Sequence, residues 1–369
     1  MRYIPALDGL RAVAVALVVA SHAAHLPAGF LGVDVFFVLS GFLITGLLVI
    51  EHRATGRINI VNFYLRRGLR LFPCLWAMVG LVLLSSWLIH APERFAYDAH
   101  ESLFALLYIE NWALITGASG GSPFQHTWSL AIEEQFYIVW ALGLALLLDH
   151  SRWPSRTIGL LLAGALALYA VLWLSGAGWM RLFVGSDTRA FELLAGALLG
   201  TLYCRGELRP WIETHAAVAR LSAIAALIAL PLIASVALPP LEGKSLGVQL
   251  LTVAATLIII GDVCANSMSA IGPLLARRVP VYLGSISYGI YLWHDPLSWL
   301  AGEYGAPLGF RILIIAGGGV ALAALSYRYI ERPALALKHR IAFASTRRPP
   351  STPPGTPPAA PRGRRGALV

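Results

Sequence analysis

Asp8–His25 reads DGLRAVAVALVVASHAAH, an apolar run with an arginine, Arg11, near its start and a histidine, His22, deep inside it. On an α-helix the two are eleven steps of ~1.5 Å apart, roughly 16 Å, and about 20° from facing the same way. One helix face therefore presents a cation at one depth and an imidazole half a bilayer away. Titratable side chains are costly in lipid, so they face a bundle interior, pair with another group or line a pathway. Arg11 alone also fits a helix-end arginine snorkelling to headgroups, with a packed neutral histidine as the matching plain reading of His22. The depth of His22 in its span favours function.

Composition agrees with a membrane setting. The 369 residues are 57% hydrophobic and 13% charged, with a mean hydropathy of +0.70. A soluble domain needs far less apolar content, so the class is an all-α, polytopic transmembrane bundle. The net charge of +9 does not point to nucleic acid, because the arginines fall in short loops between apolar segments. Crossings take about 20 apolar residues each, and about ten candidates fit. They lie near 8–27, 31–51, 71–90, 126–148, 157–175, 187–204, 216–236, 246–265, 282–300 and 309–330.

An even number of spans puts both termini on one side. That side collects Arg53, Arg57, Arg66, Arg67, Arg70, Arg152, Arg156, Arg205, Arg209, Arg220, Arg277 and Arg278. Both termini are therefore expected in the cytoplasm, with the protein in the cell (inner) membrane. The longest opposite loop, 91–125, is acidic. Cys74, Cys204 and Cys264 share no metal-like spacing and sit near cytoplasmic span ends, so no disulfide is expected. The N-terminal run continues into His22 and a second span follows at once, which argues against a cleaved signal peptide. Residues 1–335 form the membrane domain, and 336–369, rich in Pro, Ser, Thr and Arg, read as a disordered cytoplasmic tail that contacts anionic lipid at most.

Polar residues inside the spans narrow the chemistry. Arg66, Arg67 and Arg70 in NFYLRRGLRLFP stand at helical spacing before the third span, where guanidinium forks suit phosphate oxygens; topology signalling or lipid contact is the plain alternative. Glu133 and Glu134 in HTWSLAIEEQFYIVW enter an apolar helix side by side, which packing does not explain. Asp34 lies near the same membrane border. Asp187 and Arg189 fit either a site or a local helix-start salt bridge, and Gly196 with Gly200 makes a face for close helix approach. SISYGIYLWHDP places Tyr291 and His294 along the ninth span. No P-loop, dinucleotide fingerprint or zinc spacing is present, and no metal is expected.

Taken in order, Arg11 to His22, GVDVFFVLSGFLI at 32–44, Arg67 to Arg70 with Pro73, WSLAIEEQFY at 128–137, Asp187 with Arg189, SYGIYLWH at 287–294 and Glu331 with Pro333 resemble the acyltransferase 3 family of integral-membrane O-acyltransferases. The likeness covers roughly residues 3–335, without the fused esterase-like domain of some members, as in the stand-alone form. It implies transfer of an acyl group, commonly acetyl, from acyl-CoA as co-substrate to a hydroxyl of a cell-surface or lipid-linked glycan or of a secreted small molecule. No permanently bound cofactor is implied, and glycan-assembly proteins are possible partners.

On that reading Arg11, Arg67 and Arg70 hold the donor's phosphates. His22 acts as general base, or as an acyl-carrying nucleophile, and Glu133 or Glu134 orients its ring. Asp34, Trp128, Ser129, Tyr137, Asp187, Arg189, Tyr291 and His294 support the site. A proton-coupled transporter or lipid-linked sugar flippase is the competing reading of the same buried charges.

Overall fold

The computed structural model describes residues 3–235 and 245–336, all helices and connecting turns with no strand among them. The tail expected over 336–369 lies, beyond Ala336, outside the described residues. The chain runs through α1 (Pro5–Ala23), α2 (Leu31–Thr55), α3 (Ile60–Ile89), α4 (Pro92–Leu106) and α5 (Glu110–Thr116). A short 3-10 turn, Gln125–Thr127, leads into α6 (Trp128–His150), followed by α7 (Pro154–Leu174), α8 (Trp179–Val184), α9 (Ser186–Arg205) and α10 (Leu208–Thr214). The remainder is α11 (Ala216–Ser235), α12 (Ser245–Ala265), α13 (Ile271–Leu275), α14 (Arg278–Ser285), α15 (Ser287–Glu303) and α16 (Leu308–Ala336).

Eight of these, α1, α2, α3, α6 with its leading turn, α7, α11, α12 and α16, are long and apolar enough to cross a membrane, which makes this a multi-pass membrane protein. The other two expected spans correspond to α9, which carries Asp187, Arg189, Glu192 and Arg205, and to α15, which is 17 residues long. Arg189 and Glu192 are fully buried against neighbouring helices, so these two charges of α9 lie inside the bundle.

Local chemistry sets the helix limits. Pro5 occupies the first turn of α1, where its missing N–H is not needed. The helix stops at Ala23, short of the predicted 27, because Pro27 cannot continue it and disfavours helical geometry at Leu26. His22 therefore sits in the last turn of α1. The Asn59 side chain accepts the Asn62 N–H at 3.0 Å and starts α3 well before the predicted 71, so Arg66, Arg67 and Arg70 belong to this helix. The predicted span 282–300 is broken between α14 and α15 at Ile286.

Two backbone-to-backbone crossings fix the helices that carry the site. A Cβ on Gly196 would meet the Val38 carbonyl oxygen at 2.0 Å, which seats α9 on α2 through the small-residue face foreseen in the sequence. A Cβ on Gly284 would meet the Asp8 carbonyl oxygen at 1.7 Å, so α14 presses on the start of α1 with no side chain between them. At its other end α1 is held by Arg311 of α16, whose Nη2 donates to the His22 carbonyl oxygen at 2.8 Å.

Candidate active site

α1 runs between two cavities. The first, of about 570 Å³, is lined by Arg11, Arg66, Arg67 and Arg70, together with Ser40, Glu133, Tyr137, Ser129 and Glu331. The second, of about 860 Å³, is lined by His22, His126, His294 and Asp295, with Trp128, Phe183 and Trp299 on its walls. The separation of Arg11 from His22 along one helix face thus becomes the separation of an arginine cavity from a histidine cavity.

In the arginine cavity Arg67 is committed to acidic partners. Its Nε donates to Glu134 Oε1 at 2.7 Å, Nη2 is 3.9 Å from Glu133 Oε2, and the guanidinium lies 3.4 Å from the centre of the Tyr137 ring. Ser40 donates to Glu133 at 2.6 Å. Arg66 pairs with Glu51 at 3.3 Å and Arg11 with Asp8 at 3.6 Å. Arg70 has no carboxylate within ion-pairing distance among the described residues and is exposed to the cavity. It is the guanidinium freest to meet an anion.

In the histidine cavity the imidazoles are oriented by backbone. His22 Nδ1 lies 3.1 Å from the Val18 carbonyl oxygen, which assigns it the N–H and leaves Nε2 with the lone pair. Nε2 is 3.5 Å from Asp295 Oδ1, and the other carboxylate oxygen is 3.2 Å from His126 Nδ1. His294 Nδ1 donates to the Tyr291 carbonyl oxygen at 2.5 Å, and its buried Nε2 has no partner among the described residues. The His22 side chain is 38% exposed to the cavity whereas Asp295 is 8% exposed, so the imidazole is reachable and its partner is shielded. His22, His294 and Asp295 present ligand atoms all within 4.8 Å of one another, a donor set that could hold a divalent cation.

The expected pairing of His22 with Glu133 or Glu134 is not formed. These glutamates lie seven and eight residues beyond His126, about 10–12 Å deeper along the helix, and there they meet α3 instead of α1. Asp295 takes the position beside His22. It and His126 are the site residues missed in sequence, although both stand in quoted motifs, at the start of HTWSL and after LWH. An acidic residue immediately before Pro296 in an apolar span was the signal available for Asp295.

The remaining candidates divide by location. Ser129 Oγ and Tyr291 Oη are 2.6 Å apart, and Tyr291 also donates to the His126 carbonyl oxygen at 2.9 Å. Asp187 pairs with Arg181 at 2.5 Å, not with Arg189. Arg189 instead pairs with Asp34 and, at 3.0 Å, with Glu192, all with no solvent exposure. Its guanidinium lies against Phe37, Trp128 and Phe183, behind the wall of the histidine cavity, so Asp34 and Arg189 lie outside that cavity.

A sequence profile described as "Acyltransferase domain" matches residues 4–329. The chain belongs to the acyltransferase 3 family. It is 32% identical over 349 residues to the peptidoglycan O-acetyltransferase OatA of Listeria monocytogenes, with 90% of this chain and 56% of that protein covered. It is 36% identical over 357 residues to the putative peptidoglycan O-acetyltransferase YrhL of Bacillus subtilis, with 90% and 55% covered. Against the O-acetyltransferase OatA of Staphylococcus aureus the identity is 32%, with 90% and 57% covered. The chain thus spans just over half the length of these curated relatives. No solved structure matches it.

Proposed function

We propose that this acyltransferase 3 domain moves an acetyl group from acetyl-CoA, bound from the cytoplasm, to a hydroxyl of a cell-wall glycan on the other side of the membrane. The supporting observation is the division of labour between two abutting cavities, one carrying Arg70, Arg67 and Arg11 and the other His22, Asp295 and His294. Guanidinium groups suit the phosphates of a coenzyme A donor, and the arginine-rich loops favour the cytoplasmic side for that cavity. The wide histidine cavity, walled by tryptophans, suits a sugar ring. The glycan acceptor is carried over from the names of the relatives.

In the reaction His22 Nε2 takes the proton of the acceptor hydroxyl while its oxygen attacks the thioester carbonyl carbon. The C–O bond forms, the C–S bond breaks, and the departing sulfur recovers the proton from the imidazolium. Asp295, 3.5 Å from Nε2, stabilises the ring while it is charged. The last-turn position of His22 adds to this, because a helix C-terminus favours a cation. The reading is tested with purified protein, acetyl-CoA and a muropeptide or chitooligosaccharide acceptor. His22→Ala should retain acetyl-CoA binding and lose transfer, and transfer by that variant would refute the role of His22.

A further inference from the structure

Among the described residues lining the two cavities, only Val33 and Tyr291 belong to both. Val33 sits in the first turn of α2 and Tyr291 near the start of α15, and both are buried, at 5% and 6% exposure. The Tyr291 ring is not loosely placed. Its hydroxyl donates to the His126 carbonyl oxygen at 2.9 Å and lies 2.6 Å from Ser129 Oγ, which ties it to the turn and first residues that open α6. Phe36 packs edge-on at 6.3 Å between ring centres. Three elements from different parts of the chain thus converge on one aromatic ring. On one side of it lies a cavity lined with cations, and on the other a cavity lined with imidazoles.

We propose that Tyr291, together with Val33, is the partition that keeps the membrane sealed through this protein, and that Tyr291 must swing aside for a thioester to reach His22. The sealing part stands on the cavity walls alone, and the passage part rests on the donor reading above. A wall at this place answers a chemical need, since the base that activates an alcohol also activates water. With Tyr291 closed, a thioester waiting among the arginines is separated from the cavity that holds His22. The phenol suits the task, because its ring excludes water and its hydroxyl gives the closed position a definite latch.

The test uses the full chain in proteoliposomes containing a pH-sensitive dye, with a proton gradient imposed from outside. Tyr291→Ala should raise proton leak about tenfold or more above the wild-type protein, as opening an apolar constriction to water does. Val33→Ala should raise it less, and Val33→Phe placed in the Tyr291→Ala chain should restore tightness. Tyr291→Leu serves if the alanine variant is not monodisperse in detergent. Equal leak from wild type and a folded Tyr291 variant overturns the seal. In parallel, release of free thiol from acetyl-CoA without acceptor should rise in Tyr291→Ala. Leak without thiol release would keep the seal and remove the donor passage.

Discussion

Asp295 lies between His22 and His126 with one carboxylate oxygen toward each ring, 3.5 Å from Nε2 of the first and 3.2 Å from Nδ1 of the second. A carboxylate so placed keeps a fixed negative charge beside the nitrogen that becomes positive under the proposed mechanism. Asp295→Asn retains the shape and removes the charge. Turnover should fall by about 10²-fold or more while the KM for acetyl-CoA stays within about twofold, because the proposed reading puts the donor's phosphates in the other cavity. Steady-state kinetics at saturating acceptor separates the two parameters. Since the base reading needs the Nε2 lone pair free, exhaustive chelation should leave wild-type turnover unchanged. Loss of activity reversed by zinc would make the same residues a metal centre.

Arg70 lines the arginine cavity without a carboxylate partner among the described residues, so its removal breaks no salt bridge described there. Arg70→Ala should raise the KM for acetyl-CoA about tenfold, near 1.4 kcal/mol, with folding intact. Arg67→Ala differs, since it leaves Glu133 and Glu134 without their cation. It should lower the thermal midpoint in detergent as well as donor affinity. A raised KM for both variants with no thermal change for either would contradict this distinction.

Arg189 holds two carboxylates, Asp34 and Glu192, away from all solvent. Arg189→Leu strands both, a loss of about 3–5 kcal/mol. The variant should be recovered mainly as aggregate on size exclusion. The triple change Arg189→Leu with Asp34→Asn and Glu192→Gln should recover much of the monodisperse protein, because no buried charge is then left unpaired.

Glu110 gives the segment between α3 and α6 its own pH dependence. Ser119 Oγ is 2.6 Å from Glu101 and 2.5 Å from Glu110, and its one hydroxyl hydrogen serves only one of these carboxyls. Burial pushes the Glu110 carboxyl up to about 7, with the Ser119 hydroxyl opposing and the Glu101 charge adding to the rise. The folded protein therefore holds a proton that the unfolded chain releases nearer 4.5. Stability from this group is complete below that value and is lost as pH rises through about 7. Proteolysis in the 91–125 segment should accelerate between pH 6 and pH 8 beyond the protease's own pH response. Glu110→Gln should flatten the curve at the slow level.

The sequence placed the helical class and the Arg11 to His22 separation correctly, because both depend on apolar length and on the fixed rise of one helix. Two helices short of the crossing criteria, α9 and α15, carry polar residues that the bundle hides, which no hydropathy profile can distinguish from exposed ones. The pairing of His22 with Asp295 was not legible for a different reason. It depends on the rotation and depth of α15 against α1, set by backbone crossings such as Gly284 on Asp8. Glu133 and Glu134 were the more conspicuous carboxylates, yet their depth along α6 commits them to Arg67. Likewise Asp187 and Arg189 are neighbours in sequence and point to different partners in space.

Because α1 is clamped at Asp8 by α14 and at His22 by Arg311, the helix behaves as a ruler of fixed length; on the proposed function it carries an anion anchor, Arg11, at one mark and a proton acceptor, His22, at the other. A thioester cut short of its phosphates has nothing to align against the first mark. Such a donor should lose its register with His22 and turn over slowly even at saturation, which makes the nucleotide end of the molecule part of the chemistry at the other end.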